Sequence, residues 1–282
     1  MTSQGSRHAD VSLVVSVFRS ERYIRRFANT LRKFAADLES FPELKIEIIA
    51  ILNSPSPVEL RVVQGLESLD FAQLHIRTAV VPRETIYASW NRGIHLAQGN
   101  VLGFWNVDDA RYVGAIAEAA EAIASGARLV YSPFYFDSRW RKWGLLPRRA
   151  KVLVDPPAFD SDVFRRKFLI GPFFVFSREL YEAAGPFDEQ FQIAGDLEWG
   201  LRALDVASFS RAASVSGVHL NEFRGLSTSG SERVFVEQNV IHTRHGMLDL
   251  LQPGSDALVA EYDAQHLIVA GKRERVSRPA LR

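Results

Sequence analysis

The segment Val-Leu-Gly-Phe-Trp-Asn-Val-Asp-Asp, residues 101–109, decides the fold that the rest of the chain can adopt. Its first five residues are apolar and predict a buried strand, whereas Asn106, Asp108 and Asp109 form a polar tip. A strand that ends in carboxylate and amide oxygens and is followed by a helix is where α/β proteins hold a hard cation and a phosphate. The segment therefore predicts an enzyme that acts on a phosphate-bearing donor.

Length and composition exclude several classes of protein. The chain has 282 residues, of which 47% are hydrophobic, so it can bury a large core. It carries 34 basic and 33 acidic residues, and the net charge of +1 argues against a generic nucleic-acid binder. The absence of cysteine excludes disulfides and thiolate zinc sites.

Signals for membrane insertion or export are missing from the sequence. The first ten residues are polar and lack the apolar core of a signal peptide, and no run approaches 18 apolar residues. We therefore expect a cytoplasmic protein.

Apolar runs alternate with helical patterns through the first half of the chain. The runs predict strands at Val11–Phe18, Lys45–Leu52, Leu74–Val81, Val101–Asn106 and Arg128–Tyr131. The segments between them predict helices that start near Ile24 and after the Ser56 cap, and further helices at Ile86–Ala97 and Val113–Ser125. This alternation predicts an α/β protein with a mainly parallel sheet and helices on both of its faces.

Polar residues follow three of the predicted strands, as Phe18-Arg19, Asn53-Ser54 and Asn106–Asp109. The carboxyl ends of parallel strands meet at one edge of a sheet, and such sheets bind ligands outside that edge. The topology alone therefore predicts one site that gathers these side chains.

The second half of the chain has weaker patterns. Residues 132–167 contain four prolines and many Arg, Trp and Phe residues, so we expect an irregular functional loop region or a small excursion. Order returns with a predicted strand at Gly171–Ser177 and predicted helices at Arg178–Ala184, Asp196–Leu204 and Glu232–Leu250. Residues 253–282 are predicted to be a C-terminal tail that is basic and frayed from Lys272.

Five motifs, in their order along the chain, resemble those of the family 2 glycosyltransferases with the GT-A fold. The motifs are Val11–Ile24, Tyr87-Ala-Ser-Trp-Asn-Arg-Gly-Ile94, Asn106-Val-Asp-Asp109 at the Asp-x-Asp position, Gly171–Ser177 with Ala184-Gly-Pro-Phe-Asp188, and Gly195-Asp-Leu-Glu-Trp-Gly-Leu-Arg202. The resemblance implies a GT-A domain over residues 9–252. Residues 9–131 would bind the nucleotide sugar and residues 132–252 the acceptor.

This resemblance also implies a reaction. A sugar would move with inversion from a nucleoside diphosphate sugar to a hydroxyl of a saccharide or lipid-linked saccharide, in cell-surface polysaccharide or glycolipid biosynthesis. Asp196 would be the base that accepts the hydroxyl proton. Mn²⁺ or Mg²⁺ would offset the charge of the departing diphosphate, with Asp108 as its ligand and His219 as an additional ligand.

Donor binding is assigned by the same resemblance to residues that follow the predicted strands. In the loop after the first strand these are Val17, Phe18, Arg19 and Glu21, and Phe18 is expected to stack on the base. The remaining donor-binding residues are Asn53, Arg83, Asn91, Asn106 and Asp108.

Each of the main assignments has a plainer alternative in the residues themselves. Asp108-Asp109 and Asp196 are also suited to cap the helices that follow them. Arg83 is equally suited to be a solvated side chain, and Asn91 to bond only to backbone.

Three positions depart from the family pattern and keep other functions open. Asn106, Asn53 and Gly195 stand where the family usually has carboxylates, which lowers the affinity for a cation. A degenerate, non-catalytic protein that binds a sugar or a nucleotide is therefore one alternative. A nucleotidyltransferase is disfavoured, because the loop Ser16–Glu21 contains no glycine.

The segment Arg139–Lys151 holds six basic residues, two tryptophans and no acidic residue. One interpretation is a patch that meets an anionic lipid-linked acceptor in peripheral contact with the inner face of the membrane. The other is a solvated loop whose tryptophans fold onto the core.

Overall fold

The computed structural model describes residues 9–141, 147–222, 232–253 and 261–276. Some of the sequence predictions fall outside these residues. They concern most of the first ten residues, residues 142–146 of the basic segment, and residues 254–260 and 277–282 of the expected tail.

Strands and helices alternate as the sequence predicts. The strands are β1 (Val11–Val17), β2 (Ile46–Asn53), β3 (Leu74–Val81), β4 (Val101–Phe104), β5 (Ala110–Arg111), β6 (Leu129–Tyr131), β7 (Phe134–Arg141), β8 (Pro147–Val154), β9 (Val175–Ser177), β10 (Phe209–Arg211), β11 (Gly217–Asn221), β12 (His266–Val269) and β13 (Lys272–Arg275). The helices are α1 (Ile24–Leu38), α2 (Pro57–Glu67), α3 (Ile86–Leu96), α4 (Val113–Ala124), α5 (Ser161–Arg166), α6 (Arg178–Ala184), α7 (Gly195–Leu204) and α8 (Glu232–Arg244). A short 3₁₀ helix follows at Leu248–Leu250.

The central sheet has seven strands in the order β10-β6-β9-β4-β1-β2-β3. Strands β4, β1, β2 and β3 are parallel, while β9 runs antiparallel between β4 and β6. Strand β10 is parallel to β6. The predicted α/β class with a mainly parallel sheet is confirmed, and its parallel half brings the ends of β1, β2 and β4 to one edge.

Apolar layers cover both faces of this sheet, because successive strand residues point to opposite sides. The Phe104 ring stacks on Trp90 of α3 with 3.7 Å between the ring centroids. The next residue, Trp105, packs on the other layer, where its ring lies 4.9 Å from that of Phe34 in α1. Both side chains at the end of β4 are therefore fixed before the polar tip begins.

A second, four-stranded sheet lies beside the first in the order β5-β11-β7-β8. Residues 132–167 are thus not irregular, because they supply β7, β8 and α5. The apolar pattern did not predict these strands, because a buried aspartate stands where an alternating strand would have an apolar residue. Asp137 is 1% exposed and accepts hydrogen bonds from Arg139 at 2.9 Å and Arg149 at 2.7 Å.

The expected tail from residue 253 is also wrong for residues 261–276. Strands β12 and β13 form an antiparallel hairpin, and Leu267 is buried. The Ile268 amide donates to the buried Asp188 carboxylate at 2.9 Å, which ties the hairpin to the turn before α7. No helix in the described part of the chain is long and apolar enough to cross a membrane.

Helix caps explain where several of these elements begin. Ser56 and Glu59 form a capping box at α2, and Ser177 caps α6 through its hydroxyl. The predicted cap of α7 is wrong, because the N-cap is Ala194 and Asp196 is the second helical residue. Asp196 therefore projects from inside the first turn of α7.

Candidate active site

A cavity of about 550 Å³ opens at the carboxyl ends of β1 and β4. Strands β7 and β11 of the second sheet supply its opposite wall through Phe134, Phe136, His219 and Leu220. Six of the residues predicted for the site line this one cavity, namely Phe18, Arg19, Asn106, Asp108, Asp196 and His219. The two sheets therefore bring together residues up to 201 positions apart in the sequence.

The end of β1 presents an aromatic ring close to two cations. The guanidinium carbons of Arg19 and Arg83 lie 5.2 Å and 5.7 Å from the centroid of the Phe18 ring. Arg19 has a φ of 49°, a left-handed conformation that is uncommon for a residue other than glycine. Such strain is typical of functional sites, and here it turns the chain at the cavity edge.

The loop after Arg19 is fixed by a helix rather than by its own residues. The Glu59 carboxylate on α2 accepts the Ser20 hydroxyl at 2.6 Å, and it also accepts the Ser20 amide. Burial raises the pKa of Glu59, but the hydrogen bonds from Ser20 and Ser56 outweigh burial, and the net pKa is lowered. Glu59 is thus an ionised anchor for the loop that carries Phe18.

Asp109 fixes the polar tip of β4 against β11. Its buried carboxylate accepts the Leu220 amide at 2.9 Å and the Asn106 side-chain amide at 3.1 Å. The Nδ1 atom of His219 lies 3.1 Å from the same carboxylate. The alternative in which Asp108 or Asp109 caps the next helix is wrong, because the N-cap of α4 is Tyr112.

Asp108 lines the cavity beside this anchored carboxylate. Burial and the charge of Asp109 raise the pKa of Asp108 to about 6, although His219 and Arg26 act in the opposite direction. The Arg26 side chain donates to the Asp108 backbone carbonyl at 2.8 Å and so holds the residue in place. A carboxylate pushed towards neutrality in this way gains from any cation that binds next to it.

Asp196 lies on the other side of the cavity at the start of α7. Its carboxylate accepts hydrogen bonds from the backbone amide of Leu197 at 2.9 Å and from the Tyr87 hydroxyl at 3.4 Å. Burial raises the pKa of Asp196 to about 6, and the charge of Glu237 adds to this effect. This pKa suits a group that must accept a proton near neutral pH.

The glycine before Asp196 has a steric reason. A Cβ atom at Gly195 would lie 2.7 Å from the ring of Tyr87, so a larger residue would displace that ring. Tyr87 in turn donates to the Ile193 carbonyl at 2.8 Å. Residue 195 is glycine where the family usually has glutamate, and the Tyr87 ring occupies the space that a glutamate side chain would need.

Five predicted donor-binding residues do not line the cavity, namely Val17, Glu21, Asn53, Arg83 and Asn91. Asn53 is buried and exchanges hydrogen bonds with the backbone of Glu84 at 2.7 Å and 3.0 Å. Asn91 binds the backbone of Phe187 in both directions, at 2.8 Å and 2.9 Å. Both amides hold the loops around the cavity, and sequence spacing alone could not separate that role from ligand contact.

The family model described as Glycosyl transferase family 2 matches residues 12–185, which is more than half of the chain. The chain belongs to glycosyl transferase family 2. The match includes the ends of β1 and β4 but stops before Asp196 and His219. The assignment of Asp196 and His219 to the cavity therefore rests on its geometry.

Two mycobacterial glycosyltransferases are similar to this chain in sequence. A PGL/p-HBAD biosynthesis glycosyltransferase of Mycobacterium bovis is 27% identical over 194 residues, which cover 64% of this chain and 71% of that protein. A Mycobacterium tuberculosis protein of the same description has the same identity and coverage.

Solved structures share the fold. The structure of S. aureus TarS 1–349 in complex with UDP-GlcNAc aligns with a TM-score of 0.60 and 15% identity. That alignment covers 83% of this chain and 66% of the TarS chain, just under two thirds of it. A further structure of TarS 1–349 aligns over 94% of this chain and 96% of its own, with a TM-score of 0.52. At these identities the likeness establishes the GT-A-type fold.

The donor set suits a hard cation that a diphosphate also binds. Asp108 supplies a carboxylate and Asn106 an amide oxygen, and Mg²⁺ is commonly held by one or two protein ligands together with substrate phosphates. His219 has Nδ1 engaged by Asp109, so Nε2 would be the nitrogen available to a metal ion. No group of three or more His, Asp or Glu side chains within the described residues forms a complete metal site.

Several cavity residues escaped the sequence analysis. Tyr23, Trp90, Gln192 and Glu222 all line the cavity, and the Tyr23 hydroxyl donates to Glu222 at 2.9 Å. Tyr23 and Trp90 lie inside two of the quoted motifs, so their position there was the only available signal. Glu222 follows β11, a strand whose place beside β7 the sequence did not reveal.

Proposed function

We propose that this family 2 protein is an inverting glycosyltransferase that uses a nucleoside diphosphate sugar. The acceptor oxygen attacks the anomeric carbon, the bond from that carbon to the diphosphate breaks, and the hydroxyl proton passes to Asp196. The observation that carries this proposal is the placement of Asp108 and Asp196 in one cavity, with burial raising the pKa of Asp196 to about 6. A base and a group suited to the leaving diphosphate thus meet in one space.

The donor side of the proposal rests on Phe18, Arg19, Arg83, Asn106 and Asp108. The Phe18 ring would stack on the nucleobase, and the two flanking guanidiniums would meet the diphosphate. Mn²⁺ or Mg²⁺, held by Asp108 with Asn106 and His219, would neutralise the charge that builds on the leaving group. Uridine is the first base to test, because the TarS structures carry UDP-GlcNAc and UDP.

Cell-surface glycan or glycolipid assembly is the setting we propose, in line with the names of the mycobacterial relatives. On the acceptor side, the outer strand β8 exposes Val152, Leu153 and Val154 with fractional exposures of 58%, 48% and 36%. Lys151, which precedes them, is also exposed. Exposed apolar residues beside basic ones suit peripheral contact with an anionic lipid surface.

Nucleotide binding is the first test. Calorimetry would compare UDP, GDP, CDP and dTDP with and without Mn²⁺, and we expect one nucleotide to bind more tightly when the metal is present. A transfer assay with the corresponding sugar donors, read by NMR at the anomeric proton, should then give a product of inverted configuration. Binding without turnover across acceptors would favour the non-catalytic alternative, and retention of configuration would contradict the mechanism.

Membrane contact has its own test. Sedimentation with vesicles rich in phosphatidylglycerol should capture the protein, and Leu153→Ser should weaken this capture. Val80→Ser is the matched control, because Val80 is 62% exposed on β3, an edge strand of the seven-stranded sheet, which β8 does not belong to. Equal capture by neutral and anionic vesicles, or an equal loss in both variants, would contradict the assignment.

A further inference from the structure

Three consecutive backbone amides in front of α7 point at one carboxylate. Gln192 donates to Oε1 of Glu237, and Ile193 and Ala194 donate to its Oε2, each at 2.8 Å. Glu237 lies on α8 and is fully buried, and the Tyr262 hydroxyl donates to it at 3.0 Å. Four hydrogen bonds therefore converge on a carboxylate that does not line the cavity.

These amides belong to the segment that delivers Asp196. Gln192 and Ile193 line the cavity, Ala194 is the N-cap of α7, and Asp196 follows two residues later. Ala194 has no side chain that could bind the free amides at the start of the helix. Glu237 instead accepts the amide of the N-cap itself and the two amides before it, from another helix, so the position of Asp196 depends on α8.

Helix α8 also contacts α7 beyond its first turn. Arg244, two turns after Glu237 on α8, contacts Glu198 at 2.9 Å and Asp188 at 2.8 Å, and all three side chains are buried. Glu198 is one of the α7 residues that follow Asp196. Helix α8 thus fixes the chain both before and after the base.

Charge gives Glu237 a second effect on the base. Two titratable groups face Asp196 from other elements, the Tyr87 hydroxyl of α3 and the Glu237 carboxylate of α8. The Tyr87 hydroxyl lowers the pKa of Asp196 by donating a hydrogen bond, whereas the negative charge of Glu237 raises it. A change at Glu237 would therefore alter the protonation of Asp196 without touching the cavity wall.

We propose that Glu237 is a positioning residue that holds Asp196 in the geometry and charge state of a proton acceptor. This inference rests on the proposed function, in which Asp196 is the base. It extends the functional part of the chain beyond residue 185, where the family match ends.

The test is Glu237→Gln, which keeps the shape of the side chain but removes its charge and half of its acceptor capacity. We expect kcat to fall by about tenfold to a hundredfold, because small displacements of a catalytic group are costly, while KM for the donor stays the same. The pKa of Asp196, followed by carboxyl-carbon NMR, should drop below about 6. This titration requires no turnover, so it separates failure of this inference from failure of the proposed function.

Glu47→Gln is the matched control. Glu47 is 1% exposed and accepts the Ser12 hydroxyl and the Gln98 amide, both at 2.6 Å, and none of these three residues lines the cavity. This variant should lose stability yet keep kcat and the pKa of Asp196.

Glu237→Asp keeps the charge and decides the matter if the glutamine variant does not fold. Glu237→Asp should lower kcat while the pKa of Asp196 stays at about 6. Wild-type kcat in Glu237→Asp, or an unchanged titration of Asp196 in folded Glu237→Gln, would overturn the inference.

Discussion

The two sides of the cavity are built in different ways. On the donor side, Phe18, Arg19, Asn106 and Asp108 directly follow β1 and β4, so the parallel sheet brings them to one edge. On the base side, the segment before Asp196 is held by Glu237, which is 43 to 45 residues away along the chain. The donor side therefore begins at strand ends that topology brings together and is then held by Glu59 and by the contact of Asp109 with β11. The Asp196 side has no such strand end and depends on its contacts with α8.

The two central carboxylates illustrate this difference. Burial raises the pKa of both Asp108 and Asp196 to about 6. At Asp108 a second carboxylate adds to the effect of burial, while His219 and Arg26 oppose it. At Asp196 the opposing groups are hydrogen-bond donors, from the backbone and from Tyr87, rather than cations. Asp108 is therefore set to respond to a bound cation, and Asp196 to a proton.

The largest effect should come from removing the base. Asp196→Asn should lower kcat by about 10²–10⁴-fold, which is the usual contribution of a general base, and leave nucleotide affinity unchanged. Transfer assays and calorimetry on the same preparation would measure both quantities. Unchanged turnover would refute the role of Asp196, and loss of nucleotide binding would show that the two sides are not independent.

A break in the buried contacts of the base side should cost stability instead. Arg244→Met leaves Glu198 and Asp188 without their shared cation, which should lower the free energy of unfolding by about 3–5 kcal/mol in urea denaturation. Arg166→Met removes the exposed pair with Asp249, in which both side chains are more than 60% exposed, and should cost about 0–1 kcal/mol. Equal losses in the two variants would contradict this prediction.

The matching change on the donor side is Asp108→Asn. It should reduce the metal-dependent part of nucleotide affinity by about tenfold or more, because the carboxylate ligand is lost, and leave metal-free binding intact. Calorimetry with and without Mn²⁺ measures the difference. Glu21→Gln is the control, because Glu21 is exposed and outside the cavity lining, and its affinity should equal that of the wild type.

The smallest effect is the dependence of activity on pH. Because the base must be deprotonated, kcat/KM should fall by about tenfold between pH 7 and pH 5, with an apparent pKa of about 6 on the acid side. Stability should change in the opposite sense. A raised native-state pKa means that deprotonation of Asp196 destabilises the fold as pH rises from about 4 through about 6.

The effect of Asp196 ionisation on stability can be measured separately from its effect on activity. Asp196→Asn should unfold at higher urea concentration than the wild type at pH 7, and the difference should shrink near pH 4. A lower urea midpoint for this variant at pH 7 would show that burial of Asp196 is not what raises its pKa.

The fold was largely predictable because its signals are local. The strands predicted at Val11–Phe18 and Lys45–Leu52 are observed at Val11–Val17 and Ile46–Asn53, and the predicted capping box is present at Ser56. Each of these signals depends on neighbouring residues. Strand β7 was missed because a buried aspartate, neutralised by Arg139 and Arg149, breaks the apolar pattern. No local rule reports that a charge will be paired with a residue on another strand.

The sequence by itself determined the parallel sheet and the acidic and amide residues at its strand ends, because periodicity and strand polarity are properties of contiguous residues. It could also propose Asp108 and Asp196 as the central carboxylates. Only the tertiary structure decided that Asn53 and Asn91 support loops, that Asp109 anchors β11, and that Glu237 holds the segment before the base. These roles depend on which distant side chain supplies each hydrogen bond, and that choice is made only when the chain packs.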